Sequence, residues 1–303
     1  MIESPLNYTG GKFKLLPDLI KYFPKKINCF VDLFCGGCNV GINVEAESII
    51  FNDSNKQLIN LYETLKNNDL DFTFESLNKL IEKYNLSNVS SHGYEFYNCN
   101  SSKGLASYNK EKFNQLKTDF NSLTSKGDLY NYMLYLLIVY SFNNQIRFNS
   151  KGEFNLPVGK RDFNKKMQNK LLTFTKALQN KNISFLSTDF NNLDINKLCE
   201  NDFVYADPPY LITCASYNEN GGWSEEKELE LLNLLDKLNG KNIKFALSNV
   251  LENKGKSNVI LKQWIKNNPK YKVIHLNKSY SNSNYHGLKN SFTDEVLIIN
   301  YKN

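Results

Sequence analysis

Arginine is nearly missing from this 303-residue sequence, which has 37 lysines and arginines together but places arginine only at positions 147 and 161. The formal net charge of +6 is modest for this length, so it is compatible with an anionic partner without establishing one. A planar guanidinium forms paired hydrogen bonds that a lysine ammonium cannot form. Arg147 and Arg161 are therefore candidates for specific recognition. The alternative is that AT-rich codon usage left them by chance and that they contact only exposed carboxylates.

Long apolar segments are also missing. The longest, YMLYLLIVY at residues 132–140, is too short to span a bilayer and predicts a buried helix instead. The N-terminal stretch MIESPLNYTGGK lacks the apolar centre of a signal peptide. Six cysteines without a dense regular spacing favour reduced thiols over a disulfide framework. Together these features predict a cytoplasmic protein with no membrane attachment.

The spacing of Cys35 and Cys38 raises the possibility of a redox pair, because C-x-x-C at a strand-to-helix turn is typical of thioredoxin-like proteins. Against this, both intervening residues are glycine and no second C-x-x-C completes a zinc site. A redox pair would also leave acidic residues at two strand ends, Asp53 and Asp207, unexplained. We interpret the cysteines as buried thiols and predict no metal site.

The order of patterns predicts an α/β sheet that is interrupted in the sequence. Three successive segments predict a β-α-β opening. They are the strand INCFVDLF (27–34), the glycine turn and helix in CGGCNVGINVEA, and the strand SIIFND (48–53). Helical, polar sequence then runs from about Leu58 to Phe142, far longer than a β-to-α connection needs, and predicts an inserted domain. A hairpin is predicted at RFNSKGEFNLPVG (147–159), after which strands and helices alternate again.

The stretch FVYADPPYLIT (203–213) predicts a strand that stops at an acid. Pro208 and Pro209 lack N–H groups and cannot extend a sheet ladder, so the strand should end at Asp207. The Asp207 carboxylate, the Pro208 carbonyl and the Tyr210 ring are then held in one stiff turn at the edge where α/β sheets bind ligands. Two acceptors and a flat ring suit an amino group on a planar heterocycle. The alternative is a proline-stiffened loop whose aspartate caps the next helix.

A second acidic strand end follows the glycine turn DLFCGGCNVG. Asp53 stands 17 residues after Gly36, near the position where a carboxylate accepts the ribose hydroxyls of a bound nucleotide. The turn lacks the full G-x-G-x-x-G spacing that a diphosphate requires. An adenosine-bearing cofactor without a pyrophosphate is therefore the predicted ligand.

Five motifs resemble those of one family and follow its order along the chain. They are the Tyr-x-Gly-Gly-Lys start (8–12), the Phe-x-Gly-Gly turn, the hairpin, Asp-Pro-Pro-Tyr and the late TDEVLIINY segment. It is the S-adenosylmethionine-dependent adenine-N6 DNA methyltransferases of the Dam and DpnII/MboI type, the D12 class. The resemblance covers nearly the whole chain. It implies a Rossmann-like methyltransferase sheet in two parts, 1–60 and 161–303, around a mainly helical target-recognition domain with a β-hairpin at 61–160.

The resemblance also implies the residues that bind S-adenosylmethionine: Tyr8, Gly11, Lys12, Asp32, Gly36, Asp53, Asp189, Phe190 and Asp207. Asp53 would hold the ribose, Asp32 and Gly36 would lie near the methionine part, and Asp189 and Phe190 would flank the adenine. The sequence departs from the family at two positions. Tyr8 stands where tryptophan is common, and Cys38 stands where a small residue, often glycine, is usual.

By the same resemblance, catalysis would use Asp207, Pro208, Pro209 and Tyr210 on an adenine flipped out of duplex DNA. The two acceptors would bind the N6 hydrogens while Tyr210 stacks on the base. The implied DNA contacts are Phe142, Asn143, Arg147, Pro157, Lys160 and Arg161. We assign guanine recognition to Arg147 and phosphate binding to Arg161. For Phe142 the alternative is that it ends a buried helix.

Three other functions are compatible with parts of the sequence. Methylation of cytosine N4 uses the same amine chemistry, although serine more often replaces the aspartate in that class. Methylation of protein glutamine uses a related Asn-Pro-Pro-Tyr motif but needs no basic hairpin, and a DNA-binding module with an inactive cofactor site would not need Asp53 and Asp207. The expected partner is double-stranded DNA, with a cognate restriction endonuclease as an open question. The expected state is a bacterial or phage-encoded monomer or weak dimer.

Overall fold

The computed structural model describes residues 1–8, 10–213, 222–276 and 293–302. Its α-helices within these ranges are α1 Leu16–Ile20, α2 Lys56–Asn67, α3 Leu70–Lys83, α4 Val89–His92, α5 Ala106–Ser122, α6 Asp128–Tyr140, α7 Lys165–Asn180, α8 Glu225–Gly240 and α9 Val259–Asn267. Its strands are β1 Cys29–Asp32, β2 Ser48–Asn52, β3 Ile183–Leu186, β4 Phe203–Ala206, β5 Lys244–Asn253, β6 Lys256–Ser257, β7 Lys272–His275 and β8 Thr293–Ile299. Within the described part of the chain, no helix is both long and apolar enough to cross a bilayer.

The strands form one sheet in the order β3-β2-β1-β4-β5-β8-β7, with β6 paired to the end of β5. The pairs β1–β2, β1–β4 and β4–β5 are parallel, whereas β8 runs antiparallel to both β5 and β7. The chain starts at β1, moves outward through β2 and β3, and returns to β4 on the other side of β1. Such a reversal of strand order opens a crevice at the carboxyl ends of the two central strands, where α/β sheets bind ligands.

The predicted fold class is confirmed: a mostly parallel sheet with helices, interrupted by a long helical segment. Within the alternating strands and helices predicted after the hairpin, KVIHLNKSY (272–280) forms β7 up to His275, and residues 277–280 lie outside the described ranges. The hairpin forms with a turn closed by bonds between Asn149 and both Gly152 and Glu153, but its ladder is reduced to a bridge between Phe148 and Phe154.

The predicted helix after the first glycine turn is wrong. The segment contains only one 3-10 turn, Gly41–Asn43. The asparagine side chains of this segment bond to the N-terminal residues. Asn39 accepts from the Ser4 amide at 2.9 Å, and Asn43 accepts from the Ile2 amide at 2.7 Å. The Asn43 side chain also donates to the Asn39 carbonyl at 2.9 Å, a local bond to backbone of the kind that competes with the hydrogen bonds of an α-helix.

One compact unit comprises Met1–Phe13, Gly36–Asn43 and Asn55–Phe185. Helix α6 is its centre, and every residue from Tyr130 to Tyr140 is buried because α2, α3 and α5 pack against it. This explains why YMLYLLIVY is apolar on all sides without being a membrane span. Helix α2 begins at Asn55, whose side chain accepts from the Leu58 amide at 3.1 Å and caps the helix.

The second unit comprises Lys14–Cys35, Val44–Ser54 and Leu186–Asn303, and contains most of the sheet. Helices α8 and α9 pack on β5 and on each other. The core beneath them includes Val31, Val204, Leu231, Phe245 and Ile298. All four residues of β4 are buried, as expected for a central parallel strand covered on both faces.

Candidate active site

The Asp-Pro-Pro-Tyr segment begins where β4 ends at Ala206. Asp207 is half-buried, Pro208 is buried, Pro209 is exposed and Tyr210 is half-buried. The ladder stops because neither proline has an N–H to donate. The Asp207 carboxylate accepts a 2.8 Å hydrogen bond from the Tyr210 hydroxyl, so the acid and the ring form one hydrogen-bonded turn.

A second carboxylate lies on the other side of that hydroxyl. Glu295 Oε1 in β8 is 3.3 Å from the Tyr210 hydroxyl oxygen. Burial raises the pKa of Tyr210 well above its ordinary value, and the negative charges of Asp207 and Glu295 raise it further. Tyr210 therefore keeps its proton and acts as a donor at neutral pH.

The sheet register brings two other acidic residues to the same edge. Asp32, only 2% exposed, pairs with Phe51 of β2 on one side and with Tyr205 of β4 on the other. Asp53 and Asp207 each follow two residues after those partners. Because the carboxyl ends of parallel strands meet at one edge, three acids line the end of β2, β1 and β4.

Asn52 fixes the geometry of this edge. Its buried side chain donates to the Leu33 carbonyl at 3.0 Å and to the Thr188 carbonyl at 3.2 Å. Its oxygen accepts from the Thr188 amide and hydroxyl at 3.2 and 3.1 Å. One amide thus joins the ends of β1 and β2 to the segment after β3, where Asp189 lies.

Phe190, which follows Asp189, belongs to a group of three aromatic rings. The centroids of Phe34, Phe190 and Trp223 are 5.4 to 5.6 Å apart in each pair. Trp223 is held by a 2.6 Å bond from its indole nitrogen to the buried Glu228 carboxylate. The Asp189 carboxylate accepts from the Asn191 amide at 3.0 Å and remains half-buried. An apolar wall beside a carboxylate is chemically suited to a purine ring.

The glycine turn and the N-terminal motif meet within the first unit. A Cβ on Gly36, whose φ is +46°, would lie 2.8 Å from the Tyr8 ring, so only glycine allows this contact. The Gly36 carbonyl accepts a 2.8 Å bond from the Tyr62 hydroxyl. Lys12 is 5% exposed and its ammonium donates to the Gly10 carbonyl at 3.1 Å. Gly11 closes the motif with a 3.1 Å bond from its amide to the Tyr8 carbonyl.

Cys38 is fully buried and has a φ of +57°, in the left-handed region that favours glycine. This conformation gives a physical reason for the small residue that the family resemblance leads us to expect at this position. Neither Cys35 nor Cys38 forms a disulfide.

The residues predicted to contact DNA share solvent exposure in the segment that follows α6. Arg147 is half-buried and the other five are exposed: Phe142, Asn143, Pro157, Lys160 and Arg161. Phe142 is 51% exposed, and α6 has already ended at Tyr140. Phe142 is therefore not part of the buried helix.

Arg147 is held across the hairpin by Asn155. Its Nε donates to Asn155 Oδ1 at 2.7 Å and its Nη2 donates to the Asn155 carbonyl at 3.3 Å. Both bonds use the Nε side of the guanidinium. The opposite edge, formed by Nη1 and Nη2, carries the paired donors that match two acceptors on a planar ring.

Sequence reasoning missed four residues of this region: Asn52, Asn155, Trp223 and Glu295. Asn155 sits within the predicted hairpin, so its alternation with Leu156 and Phe154 could have placed it on the outer face. Glu295 is a charged residue inside an otherwise apolar strand, which is itself a signal. Asn52 carries no such signal, because its partners Leu33 and Thr188 are distant in the sequence. The same holds for the ring contacts of Trp223 with Phe34 and Phe190.

Comparison with known proteins identifies the family. Residues 8–282 match the family described as D12 class N6 adenine-specific DNA methyltransferase. The chain is 42% identical over 308 residues to the Type II methyltransferase M.FokI of Planomicrobium okeanokoites and 39% identical over 307 residues to the modification methylase StsI of Streptococcus sanguinis. These alignments cover 100% and 99% of this chain but 43% of each relative, so the chain spans less than half of their length.

A shorter relative aligns along nearly its whole length. The DNA adenine methylase of Escherichia coli strain K12 is 24% identical over 298 residues, which are 97% of this chain and 94% of that protein. The family match, the long similar relatives and the acidic edge of the sheet agree with one another. This chain belongs to the D12 class of N6 adenine-specific DNA methyltransferases.

Proposed function

We propose that this chain transfers a methyl group from S-adenosylmethionine to N6 of an adenine flipped out of double-stranded DNA. The observation that carries the proposal is the Asp207-to-Tyr210 turn at the carboxyl end of β4, beside the point where strand order reverses. A member of this family with these acceptors in this place has the groups that the reaction needs.

The catalytic problem is the weak nucleophilicity of adenine N6, whose lone pair is delocalised into the ring. Acceptance of the two N6 hydrogens by the Asp207 carboxylate and the Pro208 carbonyl would localise that lone pair and stabilise the developing positive charge. Pro209 stiffens the turn, and the Tyr210 ring provides a surface for the flipped base. Holding the amine in line supplies the remaining rate gain by proximity.

The donor set suits S-adenosylmethionine, which supplies a methyl group on a sulfonium with a neutral leaving group. In the second unit, Asp53 would accept from the ribose hydroxyls, Asp32 would lie near the methionine part, and Asp189 with Phe190 would contact the adenine. By the family resemblance, cofactor contacts are also proposed for Tyr8, Gly11, Lys12 and Gly36 of the first unit. The acidic strand ends and the aromatic wall beside Asp189 support this assignment.

Recognition of the DNA is proposed for the helical insertion, 61–160, and its hairpin. Arg147 would read guanine through O6 and N7, because the edge of its guanidinium opposite Asn155 has the required paired donors. Lys160 and Arg161 would bind phosphates, and Phe142, Asn143 and Pro157 would touch the strands around the flipped base. The exposure of these residues supports the proposal.

The biological setting is part of the proposal. Relatives named as a Type II methyltransferase and a modification methylase suggest a DNA-modifying protein of the bacterial cytoplasm or of a phage, with a cognate restriction endonuclease as its companion. We expect a monomer or weak dimer.

The direct biochemical test is incubation of the purified chain with labelled cofactor and mixed-sequence duplex DNA. The product nucleosides are then separated after enzymatic digestion. We expect label in N6-methyladenine. Label in N4-methylcytosine would replace the substrate assignment, and label in protein alone would contradict it.

A further inference from the structure

Glu295 is a buried carboxylate to which the proposed reaction has so far given no role. It lies in β8 opposite Val250 of β5 and is 7% exposed. Its neighbour Asp294 bonds to His275 Nδ1 at 2.7 Å. Because successive side chains of a strand alternate between faces, Glu295 faces the other way, toward Tyr210. A carboxylate removed from water requires partners, so its contacts are informative.

Tyr210 is placed between Glu295 and the proposed catalytic acid. Its hydroxyl oxygen is 2.8 Å from Asp207 Oδ1 and 3.3 Å from Glu295 Oε1. A phenol has one proton and donates it to one acceptor at a time. The shorter distance indicates that Asp207 is the acceptor in this structure, with Glu295 as the second acceptor within reach.

This arrangement matters because Asp207 must also accept a hydrogen bond from a second donor. On the proposed function, which this inference assumes, Asp207 accepts a hydrogen from the target amine. A hydroxyl that already donates to Asp207 draws electron density from the carboxylate and weakens its pull on the amine. If the hydroxyl moves to another acceptor, it no longer competes with the amine for Asp207.

We propose that Glu295 is a positioning residue that takes over the Tyr210 hydroxyl when the target amine engages Asp207. The exchange leaves Asp207 with its full strength as an acceptor. It also keeps the Tyr210 ring anchored at its hydroxyl end while the base stacks on it. Glu295 acts through Tyr210 and does not touch the substrate.

The test is a double-mutant cycle on the single-turnover rate of methyl transfer, with Glu295→Gln, Tyr210→Phe and the double variant. We expect Glu295→Gln to lower the rate by about 5- to 10-fold, because a neutral amide oxygen still accepts from the hydroxyl but more weakly than a carboxylate does. In the Tyr210→Phe background the same change should alter the rate by less than about twofold, because the hydroxyl is already gone. The cofactor dissociation constant should stay unchanged.

Glu252 provides the matched control. It is an exposed carboxylate in β5 that accepts a 2.6 Å bond from Lys262. Glu252→Gln removes the same charge from the same sheet and should retain the wild-type rate. If Glu295→Gln melts below the assay temperature, Glu295→Asp replaces it in the cycle. That variant keeps the charge but withdraws it by one methylene, and it should lower the rate only when the Tyr210 hydroxyl is present.

Equal losses in the Tyr210 and Tyr210→Phe backgrounds would contradict the inference and assign Glu295 a role in folding alone. A wild-type rate for Glu295→Gln would also overturn it. Either result leaves the proposed function standing, provided that the wild type forms N6-methyladenine and Asp207→Ala does not. A wild type that forms none overturns both, since the proposed effect of Glu295, exerted through Tyr210, is on the acceptor Asp207.

Discussion

At the scale of single residues, the arginines separate into two environments. Arg147 is fixed by two hydrogen bonds that it donates to Asn155, whereas Arg161 is exposed beside Lys160. A guanidinium held in one orientation can discriminate between bases, because paired hydrogen bonds depend on angle as well as distance. An exposed cation near other cations instead contributes charge that any phosphate can use.

Arg147→Lys tests this difference. It preserves the charge but loses both the fork and the bonds to Asn155, so we expect a loss of about 1 to 3 kcal/mol in discrimination at one base pair of the site. The salt dependence of DNA binding should hardly change. The measurement is a set of dissociation constants for duplexes that differ by single base pairs, at several salt concentrations.

Arg161→Ala is the companion variant. It should weaken binding to all of these duplexes about equally and reduce the salt slope by roughly one charge. If Arg147→Lys keeps base discrimination as sharp as in the wild type, guanine recognition by Arg147 is wrong.

The role of a residue was predictable from sequence where its geometry is set by adjacent residues in the chain. The two prolines determine how β4 ends, and their effect on Asp207 and Tyr210 needs no distant contact. Glu295 could not be placed in this way, because it lies 85 residues from Tyr210 and meets it only through the pairing of β8 with β5. The fixed orientation of Arg147 likewise depends on the hairpin being closed.

At the scale of elements, the end of α6 and the hairpin form one joined structure. The Phe142 amide donates to the Pro157 carbonyl at 2.8 Å, and the Gly159 amide donates to the Tyr140 carbonyl at 2.7 Å. A Cβ on Gly159 would lie 2.2 Å from the Ser141 carbonyl oxygen, so glycine is required for this close approach. The hairpin therefore holds Phe142 outside the helix with its ring in solvent.

Phe142→Ala tests whether the exposed ring serves DNA binding. We expect a loss of about 1 to 3 kcal/mol in affinity for duplex DNA, the range for contacts between a base and an aromatic ring. Thermal stability should change by less than about 0.5 kcal/mol, because little buried surface is removed. The two quantities are measured by fluorescence anisotropy and thermal unfolding.

Phe72 in α3 is the control, since it is 50% exposed and is not among the six residues predicted to contact DNA. Phe72→Ala should leave DNA affinity unchanged. A Phe142→Ala variant that loses stability but keeps its affinity for DNA would assign Phe142 to packing.

Elements were predictable when their pattern was strong and local. The continuous apolar run YMLYLLIVY predicted a buried helix, and it lies in α6, where every residue from Tyr130 to Tyr140 is buried. The helix predicted after the glycine turn does not form. The conformation there depends on Asn39 and Asn43, whose side chains bond to the N-terminal segment about 35 to 41 residues away. Helix propensity contains no information about such distant partners.

At the scale of the whole molecule, the fold follows from the interruption of its sheet. β1 and β2 precede the helical insertion, and β3 to β8 follow it, yet all of them belong to one sheet. The interruption was visible in the sequence as about 85 residues of helical pattern, from Leu58 to Phe142, between predicted strands. The strand order was not, because the pairing of β4 with β1 instead of β3 is a tertiary contact. That pairing brings Asp207 to the same edge as Asp32 and Asp53.

The measurement that tests the central claim most directly is methylation-sensitive long-read sequencing of DNA from cells that express this chain or its Asp207→Ala variant. It reports the modified base, the modified atom and the surrounding sequence together. We expect N6-methyladenine in one defined sequence context with the wild type. With Asp207→Ala we expect none, although the variant should still bind cofactor. Absence of N6-methyladenine in the wild type, or its persistence in Asp207→Ala, would contradict the account.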